Sequence, residues 1–267
     1  MSTLAQARPA VPSWAPWPGP PAIRLQGVGR VFGTAGRAVA ALDGISLEVG
    51  RGEFVCLVGA SGCGKSTLLS LIAGLDRPTA GRVELEGGRP ALMFQDAALL
   101  PWLTVARNVE LPMRLRGTGH RERAAEVDRL LRLVHLQGFA EHRPHQLSGG
   151  MRQRVALARA LAQRTDVLLM DEPFAALDAI TRDVLHEELV RIRTSQKLTV
   201  LFVTHNVREA VRLGDRVLLL TSRPGRVAEE FVVEVPRPRR IDDPAVGALA
   251  LRITARLREE IGRHGGG

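Results

Sequence analysis

The sequence predicts an α/β fold. Three observations indicate it: segments in which apolar residues alternate with polar ones, unbroken apolar runs, and one long segment with helical spacing. Alternating apolar and polar residues are typical of half-buried strands, and they occur at Ile23–Leu25, Ile45–Val49 and Val83–Leu85. Unbroken apolar runs are typical of parallel strands that helices cover on both faces, and four are present: Phe54–Val58, Val167–Met170, Val200–Val203 and Val217–Leu220. From about 104 to 162 the apolar spacing is helical, which predicts a helical insertion between early and late strands.

The remaining segments differ from this core in composition. Six prolines from Pro9 to Pro21 leave no room for a helix or a central strand, and they predict a flexible leader. The predicted organisation is a leader over residues 1–22, a folded domain over 23–235 with a helical subdomain over about 97–162, and a basic linker with a C-terminal amphipathic helix over 236–267.

Three helices are predicted in more detail. Two of them, Arg121–Leu136 and Met151–Leu161, lie in the insertion. The third begins at Pro244, because Asp243 can cap it and proline fits the first helical position. A single apolar stripe along this helix favours packing against the chain's own core over packing against a partner, and its members are Val246, Leu249, Ile253, Leu257 and Ile261.

Composition excludes several classes of protein. The 267 residues are 45% hydrophobic and 24% charged, an ordinary globular balance that excludes wholesale disorder. No apolar run approaches the ~18 residues of a membrane-spanning helix, and the N-terminus lacks the order of a secretory signal. The two cysteines, Cys56 and Cys63, are too few for a disulfide framework or a zinc site, which indicates a reducing compartment.

The charge balance has two interpretations. Lys plus Arg is 37 and Asp plus Glu is 28, so the formal net charge is +9. A positive net charge is typical of chains that bind nucleic acid or anionic membranes. No block of five or six like charges is present, because Pro238 interrupts the densest run, so a general spread of arginine over the surface is favoured. Lys65 and Lys197 are the only lysines.

The strongest local signal is a glycine-rich loop over Gly59–Thr67 that matches the pattern GxxxxGK[ST]. It lies between the apolar run Phe54–Val58 and an apolar helical segment, the strand–loop–helix order that phosphate binding needs. Glycines let backbone N–H groups converge on phosphate oxygens, and the helix N-terminus adds a partial positive charge. We expect Lys65 to reach the β- and γ-phosphates and Ser66 to bind Mg²⁺.

Two acidic residues, Asp171 and Glu172, follow a second apolar run. The carboxyl ends of strands are where α/β folds bind ligands. We expect Asp171 to hold Mg²⁺, directly or through water, and Glu172 to act as the general base toward an attacking water. Together with the phosphate loop, this pair predicts hydrolysis of a nucleoside triphosphate rather than binding alone.

Between these two sites lies the segment Leu147–Arg154, which reads LSGGMRQR. With it the sequence resembles the ATP-binding subunits of ABC transporters, because LSGG before a helix is that family's own motif. Other family motifs match in order over about residues 23 to 230, namely Phe32 as the adenine-stacking aromatic, Gln95 as the Q-loop glutamine, 176–178 as the D-loop and His205 as the switch histidine. The resemblance implies the ABC ATPase fold: a P-loop NTPase core with a mixed or parallel sheet, an antiparallel β subdomain and an α-helical insertion.

The resemblance also implies how the site works. Two identical subunits sandwich two ATP molecules with Mg²⁺ head to tail, so that the LSGG segment of one subunit meets the γ-phosphate bound by the other. It implies Lys65, Glu172 and His205 as catalytic residues, and Ser66, Gln95 and Asp171 as Mg²⁺ ligands. The residues implied for ATP are Phe32, Gly59, Ala60, Ser61, Gly62, Cys63, Gly64, Lys65, Ser66, Thr67, Gln95, Ser148, Gly149, Gly150 and Asp178.

Several segments are similar to importers of nitrate, taurine and aliphatic sulfonates, including Leu99–Val105 and Leu147–Arg154. Three positions depart from the commonest family pattern. Met151 replaces a glutamine, as is frequent in this branch, and Asn206 replaces the aspartate after the switch histidine. Phe32 replaces the usual tyrosine, so the adenine site lacks its hydroxyl group.

Such an importer subunit implies partners that this chain does not contain. These are membrane-spanning permease subunits and, through them, a periplasmic or lipid-anchored substrate-binding protein, which places the chain peripherally at the cytoplasmic face of the plasma (inner) membrane. The apolar segment Leu99–Trp102 is a candidate permease contact, and a core position for Trp102 is the open alternative.

Two other functions are alternatives. A soluble ABC ATPase acting on nucleic acid or ribosomes is disfavoured, because such proteins usually carry two cassettes or a long coiled-coil insertion. A phosphotransferase that uses only the phosphate loop is disfavoured by the LSGG segment and His205. No nucleic-acid partner is therefore expected.

Overall fold

The computed structural model describes residues 20–33 and 38–264, so most of the predicted leader lies outside the described residues. The strands in chain order are β1 (Ile23–Phe32), β2 (Val39–Val49), β3 (Phe54–Gly59), β4 (Ala80–Leu85), β5 (Ala91–Met93), β6 (Val167–Asp171), β7 (Thr199–Val203), β8 (Arg216–Leu220) and β9 (Val227–Val232). The α-helices are α1 (Lys65–Ile72), α2 (Val105–Leu115), α3 (His120–Leu133), α4 (Gly149–Leu161), α5 (Ala179–Gln196), α6 (Val207–Leu213) and α7 (Pro244–His264). None of the helices in these described ranges is long and apolar enough to cross a bilayer.

The larger sheet has six strands in the order β5–β6–β7–β3–β8–β9, parallel except for the antiparallel edge pair β8–β9. The four unbroken apolar runs all lie in this sheet, where β3, β6, β7 and β8 are buried throughout. Along β3, Phe54, Cys56 and Val58 face one hydrophobic cluster, and Val55 and Leu57 face another. Both faces are therefore covered, and the predicted α/β fold is confirmed.

The smaller sheet is antiparallel, in the order β2–β1–β4. It contains the three alternating segments, and its half-buried pattern explains their alternation. Gly81 allows the close approach of β4 to β1: its φ is 75°, and a Cβ there would lie 2.3 Å from the carbonyl oxygens of Gln26 and Gly27. This sheet packs on the phosphate-loop side of the larger one.

The helical insertion consists of α2, α3 and α4, which lie between β5 and β6 in the chain. The predicted helix Arg121–Leu136 starts one residue earlier, at His120, and stops at Leu133, because His135 takes a left-handed φ of 53° and turns the chain. Strands β5 and β9 were not predicted. The first has only three residues, and the second has Glu229 and Glu230 at its centre, so neither resembles an apolar run.

The C-terminal helix α7 begins at Pro244, and the carboxylate of Asp243 accepts the N–H of Ala245 at 2.8 Å. Val246 and Ile253 on the apolar stripe are completely buried against the core, and Leu249 and Leu257 pack on it partly buried. Ile261, the last member of the stripe, is exposed. Most of the stripe thus packs against the chain's own core.

Candidate active site

The phosphate loop connects the fully buried strand β3 to the N-terminus of α1. Gly64 immediately before the helix has φ 100°, and a Cβ there would lie 2.6 Å from Leu42 Cδ2 and 2.8 Å from the carbonyl oxygen of Ala41. Only glycine fits this position, since both the backbone conformation and the space exclude a side chain. The loop is therefore held directly against β2 of the antiparallel sheet.

The ammonium group of Lys65 lies inside the phosphate loop. Its Nζ donates to the carbonyl oxygens of Gly59 at 2.9 Å and Ala60 at 2.8 Å, and lies 3.6 Å from the Sγ of Cys63. Only 7% of the residue is exposed. The positive charge is thus concentrated at the loop, where phosphate oxygens can replace the backbone carbonyls as its partners.

A pair of oxygen ligands for a hard cation lies beside this lysine. Asp171 ends β6 and is buried, and its carboxylate lies beside the hydroxyl of Ser66. The pKa of Asp171 is raised, chiefly by burial and further by the charge of Glu172, although Ser66 and the charge of Lys65 act against the rise. A buried carboxylate with a hydroxyl beside it fits Mg²⁺, because the cation would compensate the cost of burying the charge.

Glu172 is held in an unusual backbone conformation. Its φ is 45°, in the left-handed region that costs a non-glycine residue about 1–2 kcal/mol, and its N–H donates to the carbonyl oxygen of Val203 at 3.0 Å. This turn brings its Oε2 to 3.1 Å from Nδ1 of His205 and 3.5 Å from Nε2 of Gln95. Gln95 and His205, which lie far apart in sequence, therefore meet at one carboxylate oxygen of Glu172, which is positioned to act as a general base.

Hydrogen bonds hold the backbone on both sides of the exposed His205. The hydroxyl of Thr204 donates to the buried carboxylate of Glu209 and accepts the N–H of Asn206 at 3.0 Å. Asn206 in turn caps α6 by accepting the N–H of Glu209 at 3.2 Å, so the asparagine keeps the capping function of an aspartate. The other carboxylate oxygen of Glu209 lies 2.8 Å from Nε2 of the buried His186.

The LSGG segment forms the N-terminus of α4. Ser148 caps this helix by accepting the N–H of Met151 at 3.2 Å. Gly150 packs on the D-loop, where a Cβ would lie only 2.9 Å from Leu177 Cδ2. Unpaired N–H groups at such a helix end attract anions.

Asp178 caps a different helix, α5, by accepting the N–H of Thr181 at 2.9 Å. This hydrogen bond lowers the pKa of Asp178. Among the described residues, no hydrogen bond or ion pair joins Ser148, Gly149, Gly150 or Asp178 to the phosphate loop of the same chain. The structure thus groups Lys65, Ser66, Gln95, Asp171, Glu172 and His205, and leaves the LSGG segment and Asp178 outside that group.

Two side chains that sequence reasoning missed attach α4 to the loop after Gln95. Gln153 donates from Nε2 to the carbonyl oxygen of Gln95, and Arg159 donates to the carbonyl oxygens of Ala97 and Ala98, both at 2.8 Å. Gln153 lies within the LSGGMRQR segment itself, but nothing in the sequence indicates which carbonyl it would bind. The LSGG helix and the Q-loop are therefore held together.

Trp102 follows this loop and is exposed to 67% of its full area. The alternative of a core position for this residue is wrong. Its exposed indole group lies close in sequence to the Q-loop and is a candidate contact for another chain.

Cys63 lies in the phosphate loop, but its thiol is not accessible to bulky reagents. Its position in the phosphate loop predicts that a bulky thiol reagent inhibits the enzyme and that ATP protects it. The side chain is completely buried, as is Cys56, whose thiol pKa burial raises well above its usual range. We now expect a bulky maleimide to leave the native chain unlabelled and to label both thiols in denaturant, as counted by intact-mass spectrometry. Rapid labelling of native Cys63 that ATP slows would contradict this burial.

The sequence matches the family model described as ABC transporter over residues 42–175, half of the chain. The chain belongs to the ABC transporter family. It is an ABC ATPase that binds ATP, with the P-loop core and helical insertion of that fold. Family membership excludes the phosphotransferase alternative.

Its relatives within the ABC family include several named importers. The nitrate import ATP-binding protein NrtD of Synechocystis sp. is 45% identical over 80% of this chain and 83% of its own length. The taurine import ATP-binding protein TauB of Burkholderia pseudomallei is 46% identical over 79% of this chain and 84% of its own. The bicarbonate transport ATP-binding protein CmpD of Synechococcus elongatus is 43% identical over 90% of this chain and 89% of its own length.

One solved ABC structure is similar in three dimensions. It is described as the dimeric structure of a post-hydrolysis state of the ATP-binding cassette MJ0796 bound to ADP and phosphate. The TM-score is 0.75 and the sequence identity 33%, with 80% of this chain and all of the other covered.

Proposed function

We propose that the chain is the ATP-hydrolysing subunit of an importer for a small anion or zwitterion, either nitrate, taurine or a related aliphatic sulfonate, or bicarbonate. The observation that carries the ATP-hydrolysing role is the convergence of Gln95 and His205 on Glu172, next to the loop that contains Lys65. Relatives that are 43–46% identical are named for import of nitrate, taurine and bicarbonate. The same relatives disfavour a soluble ATPase that acts on nucleic acid or ribosomes.

Each residue of the group has one task in this proposal. Lys65 binds the phosphate oxygens in place of the loop carbonyls. Ser66 and Asp171, with Gln95, would hold Mg²⁺, which supplies charge neutralisation when it is bound. Glu172 accepts a proton from water through Oε2 while the water oxygen bonds to the γ-phosphorus and the bond to the leaving ADP breaks, and His205 holds the water and the γ-phosphate in place.

The site is completed by a second copy of the chain. The N–H groups at the start of α4, with Ser148, Gly149 and Gly150, form an anion site that makes no hydrogen bond to the phosphate loop of its own chain within the described residues. Two copies arranged head to tail bring each α4 to the γ-phosphate of the other, so that ATP binding closes the dimer and hydrolysis reopens it. The dimeric state of the solved relative supports this arrangement.

The permease contact is assigned to the exposed segment around Trp102. It directly follows the loop that Gln153 and Arg159 attach to α4, so a movement of the LSGG helix reaches it through those hydrogen bonds. In this proposal the chain lies at the cytoplasmic face of the membrane, and a substrate-binding protein acts on the permease from the other side.

A cysteine at position 102 tests the permease contact. Cys56 and Cys63 are both buried, so Trp102→Cys has one accessible thiol, and we expect it to crosslink to the membrane subunits of the purified transporter. Leu251→Cys is the matched control, because Leu251 is equally exposed, at 69%, on the distant helix α7. Equal crosslinking from both positions, or none from position 102, would contradict the assignment.

Substrate class is tested by uptake into proteoliposomes that contain the complete transporter and its binding protein. We expect ATP-driven accumulation of labelled nitrate, taurine or bicarbonate, and no accumulation with Glu172→Gln. ATP hydrolysis that none of these solutes stimulates, with no uptake, would refute the importer proposal for this class of solutes.

A further inference from the structure

The ring of Phe32 has a cation on one face. The guanidinium carbon of Arg30 lies 4.5 Å from the ring centroid, within the range of a cation–π contact. Arg30 and Phe32 are two residues apart on β1, so their side chains lie on the same side of the strand. Phe32 is nevertheless 42% exposed. The guanidinium therefore covers one face of the ring, while a large part of the side chain stays accessible.

A second contact fixes the guanidinium in this position. Nη2 of Arg30 lies 2.9 Å from Oδ2 of Asp76, in the loop that follows α1. The same loop is held to β1 by two further hydrogen bonds, from the N–H of Val31 to the hydroxyl of Thr79 at 3.0 Å and from the N–H of Thr79 to the carbonyl oxygen of Gly29 at 2.8 Å. Because α1 begins in the phosphate loop, Arg30 links the aromatic ring to the helix that binds the phosphates.

We propose that Arg30 is a positioning residue of the adenine site: it fixes the Phe32 ring from behind, so that the opposite face is presented to the purine. The cation draws π-electron density toward itself, which lowers the repulsion between the ring and the electron-rich adenine on its other face. The arrangement is a stack of guanidinium, phenyl ring and adenine. It rests on the role in binding the base that the family resemblance implies for Phe32.

Calorimetry that measures how tightly the full-length chain binds two different ligands tests this stacked arrangement. ADP contains the base, and tripolyphosphate occupies the phosphate loop without one. We expect Arg30→Met to raise the Kd for ADP about fivefold, because the ring is no longer held in place and polarised by a cation, and to leave the Kd for tripolyphosphate unchanged. Arg30→Lys should restore part of the affinity, because it keeps a cation near the ring. The matched control is Arg24→Met, which removes a half-exposed arginine from the same strand, one that pairs with Glu48.

The Phe32→Ala variant separates this inference from the function on which it rests. We expect Phe32→Ala to raise the Kd for ADP more than Arg30→Met does. The double variant should have the same Kd for ADP as Phe32→Ala alone. Phe32→Ala with unchanged ADP affinity would refute the base-stacking role itself. If Phe32→Ala does weaken ADP binding, three results would still overturn the inference. The first is unchanged or tighter ADP binding by Arg30→Met, and the second is an equal loss of affinity for ADP and tripolyphosphate. The third is a double variant that binds ADP more weakly than Phe32→Ala by the full effect of Arg30→Met.

Discussion

Replacing Glu172 with glutamine is expected to lower kcat for ATP hydrolysis at least about 100-fold, while ATP still binds. The amide keeps the size of the side chain and can still contact His205 and Gln95 around the former Oε2, but it cannot accept a proton from water. Steady-state phosphate release gives kcat, and calorimetry with ATP gives the affinity. The variant therefore separates chemistry from binding.

Glu234→Gln is the matched control, since Glu234 is an exposed glutamate after β9 and the same charge is removed. Its kcat should equal that of the parent chain. If Glu172→Gln hydrolyses ATP at the parental rate, Glu172 is not the general base, and the left-handed turn that directs it toward His205 needs another explanation.

Lys65→Arg is expected to lower kcat on the order of 100-fold and to weaken ATP binding, although the charge is conserved. The ammonium of Lys65 lies between two carbonyl oxygens at 2.8 and 2.9 Å with 7% of the residue exposed. A planar guanidinium is larger and spreads its charge over three nitrogens, so it cannot occupy this space as a point charge among phosphate oxygens. Phosphate release and calorimetry measure the two effects.

The chain supplies its own control for that substitution. Lys197 is its only other lysine, and it lies exposed at the C-terminal end of α5. Lys197→Arg should leave kcat and the affinity for ATP unchanged. Parental turnover by Lys65→Arg would show that a compact ammonium is not needed in the loop.

Features encoded within a few consecutive residues could be predicted from the sequence. Buried parallel strands are apolar on both faces, so Phe54–Val58 and Val200–Val203 were recognised directly. The phosphate loop was equally clear, because Gly64 and Lys65 meet local requirements of space and charge. The edge strand β9 was missed because its central residues are glutamates.

Features that depend on contacts between distant segments were not predictable. Glu172, Gln95 and His205 were each assigned from a motif, but their meeting at one oxygen depends on the order of strands in the sheet and on the left-handed turn at Glu172. The burial of Cys63 depends on packing that its glycine-rich neighbours do not indicate. The contact of Arg30 with the ring of Phe32 was likewise not predictable, because no motif includes Arg30.

The most direct test of the central claim is the molar mass of Glu172→Gln by light scattering, with and without MgATP. The proposed sandwich requires LSGG of one chain at the phosphate bound by the other, so we expect a shift from 29.0 kDa to twice that value only with MgATP. Adding Ser148→Arg, which places a bulky side chain at the start of α4, should keep the chain at 29.0 kDa although ATP still binds. A chain that stays monomeric while calorimetry shows bound ATP, or a dimer that Ser148→Arg leaves intact, would contradict the account.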